Sequence, residues 1–226
     1  MKAIGINGSP RKGWNTQTLI IKVLEGAAAA GAETELINLY DHPIKGCLEC
    51  FACKRKGIVT KGVCAIHDNL RPILEKAHEA DVIILGAPNY FGYPSGMLMS
   101  FLERFLFPIT SYQVESGKQV HVLGDRVVPA GLIYTINTDE RYYKTGGYEI
   151  SMGRVKNTLE YLLGYAEQYN SYETLQFRDY SVMNANMFDG EYRKLRHETQ
   201  FPIDEEKCFE MGKRLVEKVM GFNDIV

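Results

Sequence analysis

The chain has 226 residues, 45% of them hydrophobic, and a formal net charge of −2. That is apolar material enough for one sizeable α/β domain, and the near-neutral charge gives no general drive toward nucleic acid or an acidic membrane surface. No run reaches the length of a membrane span, and Met1-Lys2 leads directly into a strand with no cleavable apolar signal, so a cytoplasmic protein with neither membrane nor nucleic-acid partners is expected.

Strand and helix patterns alternate along the chain. Lys2 to Asn7 reads as a first strand and Asn15 to Gly31 as a helix, with Asn15 as N-cap and Gly31 as C-cap. Glu33 to Leu39 alternates charged and apolar residues as a second strand. An irregular stretch from Asp41 to His67 holds four of the five cysteines. Asp68-Asn69 is positioned to cap a helix to about Ala80, and Asp81 to Ala87 is almost wholly apolar, as a central strand should be. A Gly/Pro loop, Pro88 to Gly96, precedes an apolar helix from Gly96 to Phe107. Lys118 to Leu123 suits a short extension or hairpin. Val127 to Asn137 is a further strand, and Thr138 to Ile150 a polar loop. Ser151 caps a helix to about Tyr169, Ser171 to Tyr180 alternates as a last strand, Phe188 to Gln200 is partly helical at best, and Pro202 starts a final helix over about Ile203 to Gly221. This alternation argues a parallel sheet covered on both faces.

Gly5-Ile-Asn-Gly-Ser-Pro-Arg-Lys-Gly-Trp-Asn-Thr16 joins the first strand to the first helix. Unpartnered N–H groups and the dipole make a helix N-terminus an anion site. Ser9, Arg11, Asn15 and Thr16 add hydroxyls, an amide and a guanidinium to it. Neither the lysine-bearing P-loop pattern nor the Gly-x-Gly-x-x-Gly of dinucleotide folds is present, so a phosphate monoester such as that of FMN suits the loop; an ordinary strand–helix connection is the alternative. In a doubly wound sheet the loops at the carboxyl ends of neighbouring strands meet at the switch point in strand order. The loop Pro88-Asn-Tyr-Phe-Gly-Tyr-Pro-Ser-Gly96 should therefore lie beside the first. Its rigid backbone and its aromatic Tyr90, Phe91 and Tyr93 suit a planar ring on a phosphate-bearing tail.

Gly8-Ser9-Pro10-Arg11 with Asn15-Thr16, then Gly86-Ala87-Pro88-Asn89-Tyr90-Phe91-Gly92 and Phe101-Leu102-Glu103-Arg104, resembles the NADPH-dependent FMN reductase family of flavodoxin-like proteins over roughly residues 1 to 110. The resemblance implies a doubly wound five-stranded parallel sheet in the order 2-1-3-4-5, with helices on both faces and FMN bound non-covalently. It implies that Ser9, Arg11, Asn15, Thr16 and Gln17 hold the phosphate. Pro88, Asn89, Tyr90, Phe91 and Gly92 would line the isoalloxazine, flanked by Thr135 and Asn137 in the loop after the fourth strand. No catalytic side chain is implied, because the cofactor carries the chemistry. NAD(P)H would be the co-substrate and a small molecule such as a quinone or flavin, or a redox protein, the acceptor; an electron carrier without NAD(P)H oxidation is the other reading. A flavodoxin-like FMN-binding domain over 1–185 and a C-terminal extension over 186–226, its helix packed on the same domain, are expected. So is a homodimer or homotetramer, with the apolar run Met97 to Tyr112 as the contact.

Cys47-x2-Cys50-x2-Cys53 is followed by Cys64 after ten residues. Spacing and placement resemble the iron–sulfur flavoproteins, which carry a 4Fe–4S cluster beside FMN, although the last gap is longer than theirs. Free thiols are a second reading, and zinc held by Cys50, Cys53, Cys64 and His67 a third. Cys208 lies on an amphipathic helix as a small hydrophobe. His42, His78, His121 and His197 are scattered, and Glu103 with Arg104 reads as a pair at a helix end or subunit contact, with a surface ion pair of little energetic weight as the alternative.

Overall fold

The computed structural model describes residues 1–56, 62–120, 122–123 and 126–223. His121, and residues 57–61 of the spacer between Cys53 and Cys64, lie outside that set. The elements are β1 (Lys2–Asn7), α1 (Asn15–Ala29), β2 (Glu33–Asn38), α2 (Arg71–Glu79), β3 (Val82–Tyr90), β4 (Tyr93–Pro94), α3 (Gly96–Ile109), β5 (Val114–Glu115), β6 (Lys118–Gln119), β7 (Ala130–Thr135), α4 (Glu140–Thr145), α5 (Tyr148–Leu163), β8 (Ala166–Ser171), α6 (Gly190–Thr199) and α7 (Phe201–Asn223). Among the described residues no helix is long and apolar enough to cross a membrane.

The apolar runs of β1, β3 and β7 form strands buried on both faces. Successive side chains of a strand point to opposite sides, and the core divides accordingly. Ile4, Ile6, Ile83, Leu85, Leu132 and Tyr134 meet α2, α3 and α5 on one face; Ala3, Val82, Ile84 and Ile133 meet α1 and α7 on the other. Parallel registers align the strand ends, with Asn7 opposite both Asn38 and Gly86, Pro88 opposite Thr135, and Thr135 opposite Ser171. The carboxyl edge of the sheet is thereby one continuous rim.

Several expectations are corrected. The sheet has six strands rather than five. Numbered with all short strands its order is β2-β1-β3-β7-β8, since the two-residue strands β4, β5 and β6 intervene in the chain; the five parallel strands alone keep the expected order 2-1-3-4-5, and the sixth, β4, adds to β3 antiparallel. The last strand is Ala166–Ser171, not Ser171–Tyr180, and α5 stops at Leu163 rather than near Tyr169. Gly164, in the left-handed region at φ 89°, ends the helix and turns the chain into the strand. The polar stretch after β7 is not all loop. Asp139 caps α4 by accepting from Tyr142 N at 2.6 Å, and α5 already starts at Tyr148. Asp189 caps a full α6 in the segment expected to be only partly helical. Trp14, not Asn15, is the N-cap of α1; Ala30, not Gly31, is its C-cap; and Leu70 rather than Asp68 or Asn69 is the N-cap of α2. Most of the apolar run of α3 is spent inside the molecule, since Leu98, Phe101, Leu102, Phe105 and Ile109 are core residues.

Helices α1 and α7 cross at van der Waals distance through glycine. A Cβ added at Gly26 would lie 1.9 Å from the Phe209 carbonyl oxygen, and one at Gly212 would lie 2.0 Å from that of Val23. Backbone cannot swing aside as a side-chain tip can. Gly26→Ala is therefore expected to lower the unfolding free energy by about 1–3 kcal/mol through overpacking. Gly153→Ala, in open space on α5, should raise it by about 0.5–1 kcal/mol through helix propensity. Urea unfolding curves of the two variants check both signs.

Candidate functional site

The loops after β1 and β3 touch. Gly8 N–H donates to the Gly86 carbonyl at 2.8 Å, and Ser95 Oγ donates to the Gly8 carbonyl at 2.5 Å. Around this junction lie polar side chains with almost no solvent exposure: Asn7, Ser9, Asn15, Thr16, Gln17 and Thr135. Asn7 Oδ1 accepts from Ser9 N (3.0 Å), and Ser9 Oγ accepts from Arg11 N (3.2 Å). Gln17 Oε1 accepts from Gly13 N, while its amide donates to Asn38 Oδ1 at 3.1 Å, which Asn7 Nδ2 also reaches at 2.9 Å. The Thr16 and Thr135 hydroxyls lie 2.7 Å apart. One of the two must accept, which leaves its own proton free for a ligand. Trp14, as N-cap, provides no side-chain bond to the first turn of α1, so amide donors there stay available.

Of the residues singled out in the sequence, Ser9, Thr16, Gln17 and Thr135 converge on this rim. Asn15 and Arg11 turn toward the C-terminal half instead. Asn15 Nδ2 donates to Leu175 O at 2.8 Å and Arg11 Nη1 to Gln176 O at 2.6 Å. Asn137 follows β7; its carbonyl accepts from Arg193 Nη2 at 2.8 Å, and its Oδ1 is buried without a partner. Pro88, Asn89 and Tyr90 belong to β3 itself. The expected loop is a hairpin whose two-residue turn is Phe91-Gly92, both at positive φ, 55° and 85°. Such a turn matches the twist of the strands, but it costs a non-glycine residue about 1 kcal/mol. Phe91 is nevertheless 90% exposed, so no burial offsets that strain. Asn89 Oδ1 accepts from Gly92 N at 2.8 Å and Ser151 Oγ donates to Gly92 O at 2.7 Å, which fixes the tip. Tyr90 and Tyr93 are half exposed beside it. Ser151, expected as a helix cap, lies inside α5 and instead bonds the hairpin tip, and the strap around Leu175 was not singled out in the sequence; nothing in their local pattern announces contacts to loops so far away.

The cysteine loop is organised by Arg104, which is buried rather than a surface residue. Its guanidinium pairs with Asp68 through Nη1–Oδ2 (2.6 Å) and Nη2–Oδ1 (2.9 Å), and also donates to Lys45 O (3.2 Å) and Ile66 O (3.4 Å). Glu103 accepts from Cys47 N at 2.9 Å. Lys54 Nζ caps α3 by donating to Phe107 O at 2.5 Å and to Thr110 O. Cys64 is buried, Cys47 and Cys53 are partly exposed, and Cys50 is exposed; burial pushes the Cys53 thiol up. Among the described residues no group of three or more Cys, His, Asp or Glu could hold a metal ion. The thiols as placed therefore do not fit a cluster or a zinc ion.

The hydrogen bond from Arg104 holds the Asp68 carboxyl below its usual range. A depressed folded-state pKa means this stabilisation is complete above the unfolded value of about 4 and is lost as pH falls through the folded one. Cys64 should thus resist dithiodipyridine at pH 7 and react once acid releases the loop. Asp68→Asn, which strands the buried Arg104, should expose Cys64 at pH 7 and cost about 2–4 kcal/mol in a denaturant melt.

Residues 1–132 match the profile of the NADPH-dependent FMN reductases. Over 104 residues the chain is 44% identical to an iron–sulfur flavoprotein of Methanocaldococcus jannaschii, a match covering 46% of this chain and 51% of that protein. It is 31% identical over 104 residues to an FMN-dependent NADPH-azoreductase of Staphylococcus aureus, covering 46% and 52%. The chain spans about half the length of the curated relatives it matches. In fold it is similar to an NAD(P)H:quinone oxidoreductase from Methanothermobacter marburgensis, with a TM-score of 0.66 at 13% identity over 95% of this chain and 98% of that one. The profile match, which covers more than half of the chain, shows that the chain belongs to the NADPH-dependent FMN reductase family.

Proposed function

We propose that the protein is an FMN-dependent oxidoreductase that moves electrons from NAD(P)H to a small acceptor such as a quinone or a flavin. The observation that carries this reading is the Gly8 N–H to Gly86 O bond, which sets a polar, donor-bearing loop against an aromatic hairpin at the carboxyl edge of the sheet. The names of the relatives agree with it: an FMN-dependent NADPH-azoreductase, iron–sulfur flavoproteins and an NAD(P)H:quinone oxidoreductase.

In this reading the first turn of α1, with Ser9, Thr16 and Gln17, holds the phosphate, and Arg11 adds charge at its mouth. Pro88 to Gly92 flank the ring on one side, and Thr135 and Asn137 on the other. The unpartnered Asn137 Oδ1 is an acceptor for a cofactor donor. FMN, when bound, supplies the hydride and single-electron chemistry. The protein's part would be to hold the ring at the rim, to fix it with backbone N–H groups, and to shield it from bulk water with Tyr90 and Phe91. The exposed Phe91 ring is free to pack on an acceptor or on a second copy in a homodimer or homotetramer.

Purified protein given FMN is expected to take on flavin absorbance and to oxidise NADPH in the presence of a quinone. Thr16→Val should weaken FMN binding by about 10–100-fold, the value of a hydrogen bond to a charged group, and leave riboflavin binding nearly unchanged. Failure of the wild type to take up flavin would sink the proposal. Flavin uptake without NADPH oxidation would make it an electron carrier. A second reading, in which Cys47, Cys50, Cys53 and Cys64 hold a 4Fe–4S cluster after rearrangement of their loop, is favoured by the named iron–sulfur relatives. Anaerobic purification decides it: four irons and four sulfides per chain support the cluster, and their absence removes it.

A further inference from the structure

The segment that leaves β8 runs back across the first loop as a strap. Leu175 O accepts from both Trp14 Nε1 (3.2 Å) and Asn15 Nδ2 (2.8 Å), and Gln176 O accepts from Arg11 Nη1 (2.6 Å). The strap is itself tied down: Thr174 N donates to Ile136 O at 3.1 Å, and Gln176 N donates to the Tyr180 hydroxyl at 3.1 Å. Two residues beyond these bonds stands Arg178. Its guanidinium carbon lies 5.4 Å from the centroid of the Trp14 ring, and that of Arg11 lies 3.9 Å from the same centroid.

Two cations thus share one indole at the mouth of the first loop. Among the described residues neither forms an ion pair with a carboxylate. Burial first, and then the field of Arg178, work against the charge on Arg11. Each guanidinium has five N–H donors. Arg11 spends Nη1 on the strap, which leaves donors on Nη2 and Nε. An arrangement that concentrates positive charge without an internal counter-charge gains most from a ligand bearing two negative charges.

We infer that Arg178 is a second phosphate-binding guanidinium, carried to the first loop by the strap, so that the mouth of the site takes a phosphate monoester dianion between Arg178 and Arg11. The inference deepens the FMN-binding reading and rests on it for the origin of the phosphate. The 5′-phosphate of FMN and the 2′-phosphate of NADPH share this chemistry. The strap also explains why Asn15 and Arg11 point away from the rim: they hold the element that supplies the extra charge.

Trp14 is the sole tryptophan, so its fluorescence reports on this pair directly. Titration of the full chain with inorganic phosphate should give a saturable change that potassium chloride at equal ionic strength does not. Arg178→Gln should weaken the apparent phosphate affinity by about fivefold or more, and Arg178→Lys should recover part of the loss. No saturable response in the wild type, or an unchanged midpoint in Arg178→Gln, overturns the inference. The source is read from selectivity. A fall of about tenfold in the preference for FMN over riboflavin assigns the flavin phosphate, and a like fall in the preference for NADPH over NADH in kcat/KM assigns the nicotinamide cofactor. If neither preference changes, the inference falls as well. A wild type that answers to inorganic phosphate yet takes up no flavin sinks the FMN reading and leaves this one standing.

Discussion

One backbone hydrogen bond, from Gly8 N–H to the Gly86 carbonyl, extends the pairing of β1 and β3 beyond their last register pair and makes two turns into one surface. The juxtaposition of the two turns at the rim follows from that closure. The polar loop and the aromatic hairpin each belong to a different strand, and either could exist alone in an α/β protein without meaning. Held together over the carboxyl edge, they offer fixed donors at one end and flat apolar surface at the other. The Thr16–Thr135 contact carries the same closure one strand further, to β7.

The rim combines rigid and strained parts for different purposes. Buried hydroxyls and amides around Ser9, Thr16 and Gln17 are each held by a bond to the loop or to a neighbouring strand, so they hold their positions before a ligand arrives and lose little entropy when it does. Phe91 stands at the opposite extreme, exposed and held in a left-handed turn by its neighbours. Backbone strain without burial is most often found where a side chain serves something outside the chain. The cysteine loop, anchored through Arg104, Glu103 and Lys54, is fastened to α3 at several points without gathering its thiols.

What the sequence made legible follows from what is local. β3 was plain because both its faces are buried, leaving an unbroken apolar run, and the first loop was plain because its donors and its helix start are adjacent in the chain. β8 was missed because it is an edge strand with the sequence Ala-Glu-Gln-Tyr-Asn-Ser, which reads as helix surface unless Gly164 is taken as a stop. Arg104 was paired with its neighbour Glu103 because its true partner, Asp68, stands on a distant loop and no spacing rule joins them. The contacts of Trp14 and Asn15 with Leu175 bridge nearly the whole sheet in sequence, and nothing at either end signals them. The hairpin strands β4, β5 and β6 are too short to show any periodicity.

The glycine crossing of α1 and α7 ties the start of the chain to a segment made much later. During synthesis the face of the sheet that carries Ala3, Val82 and Ile84 emerges with Leu19, Ile20 and Val23 beside it, but the side chains of α7 that seal it, Met211, Leu215 and Val216, arrive last. Until then that side of the nascent molecule is a sticky apolar surface. Such long-range closure slows folding and leaves a window for self-association or chaperone capture. The rim lies at the N-terminus of the same α1, so the helix that presents the polar loop is also the one that α7 packs against.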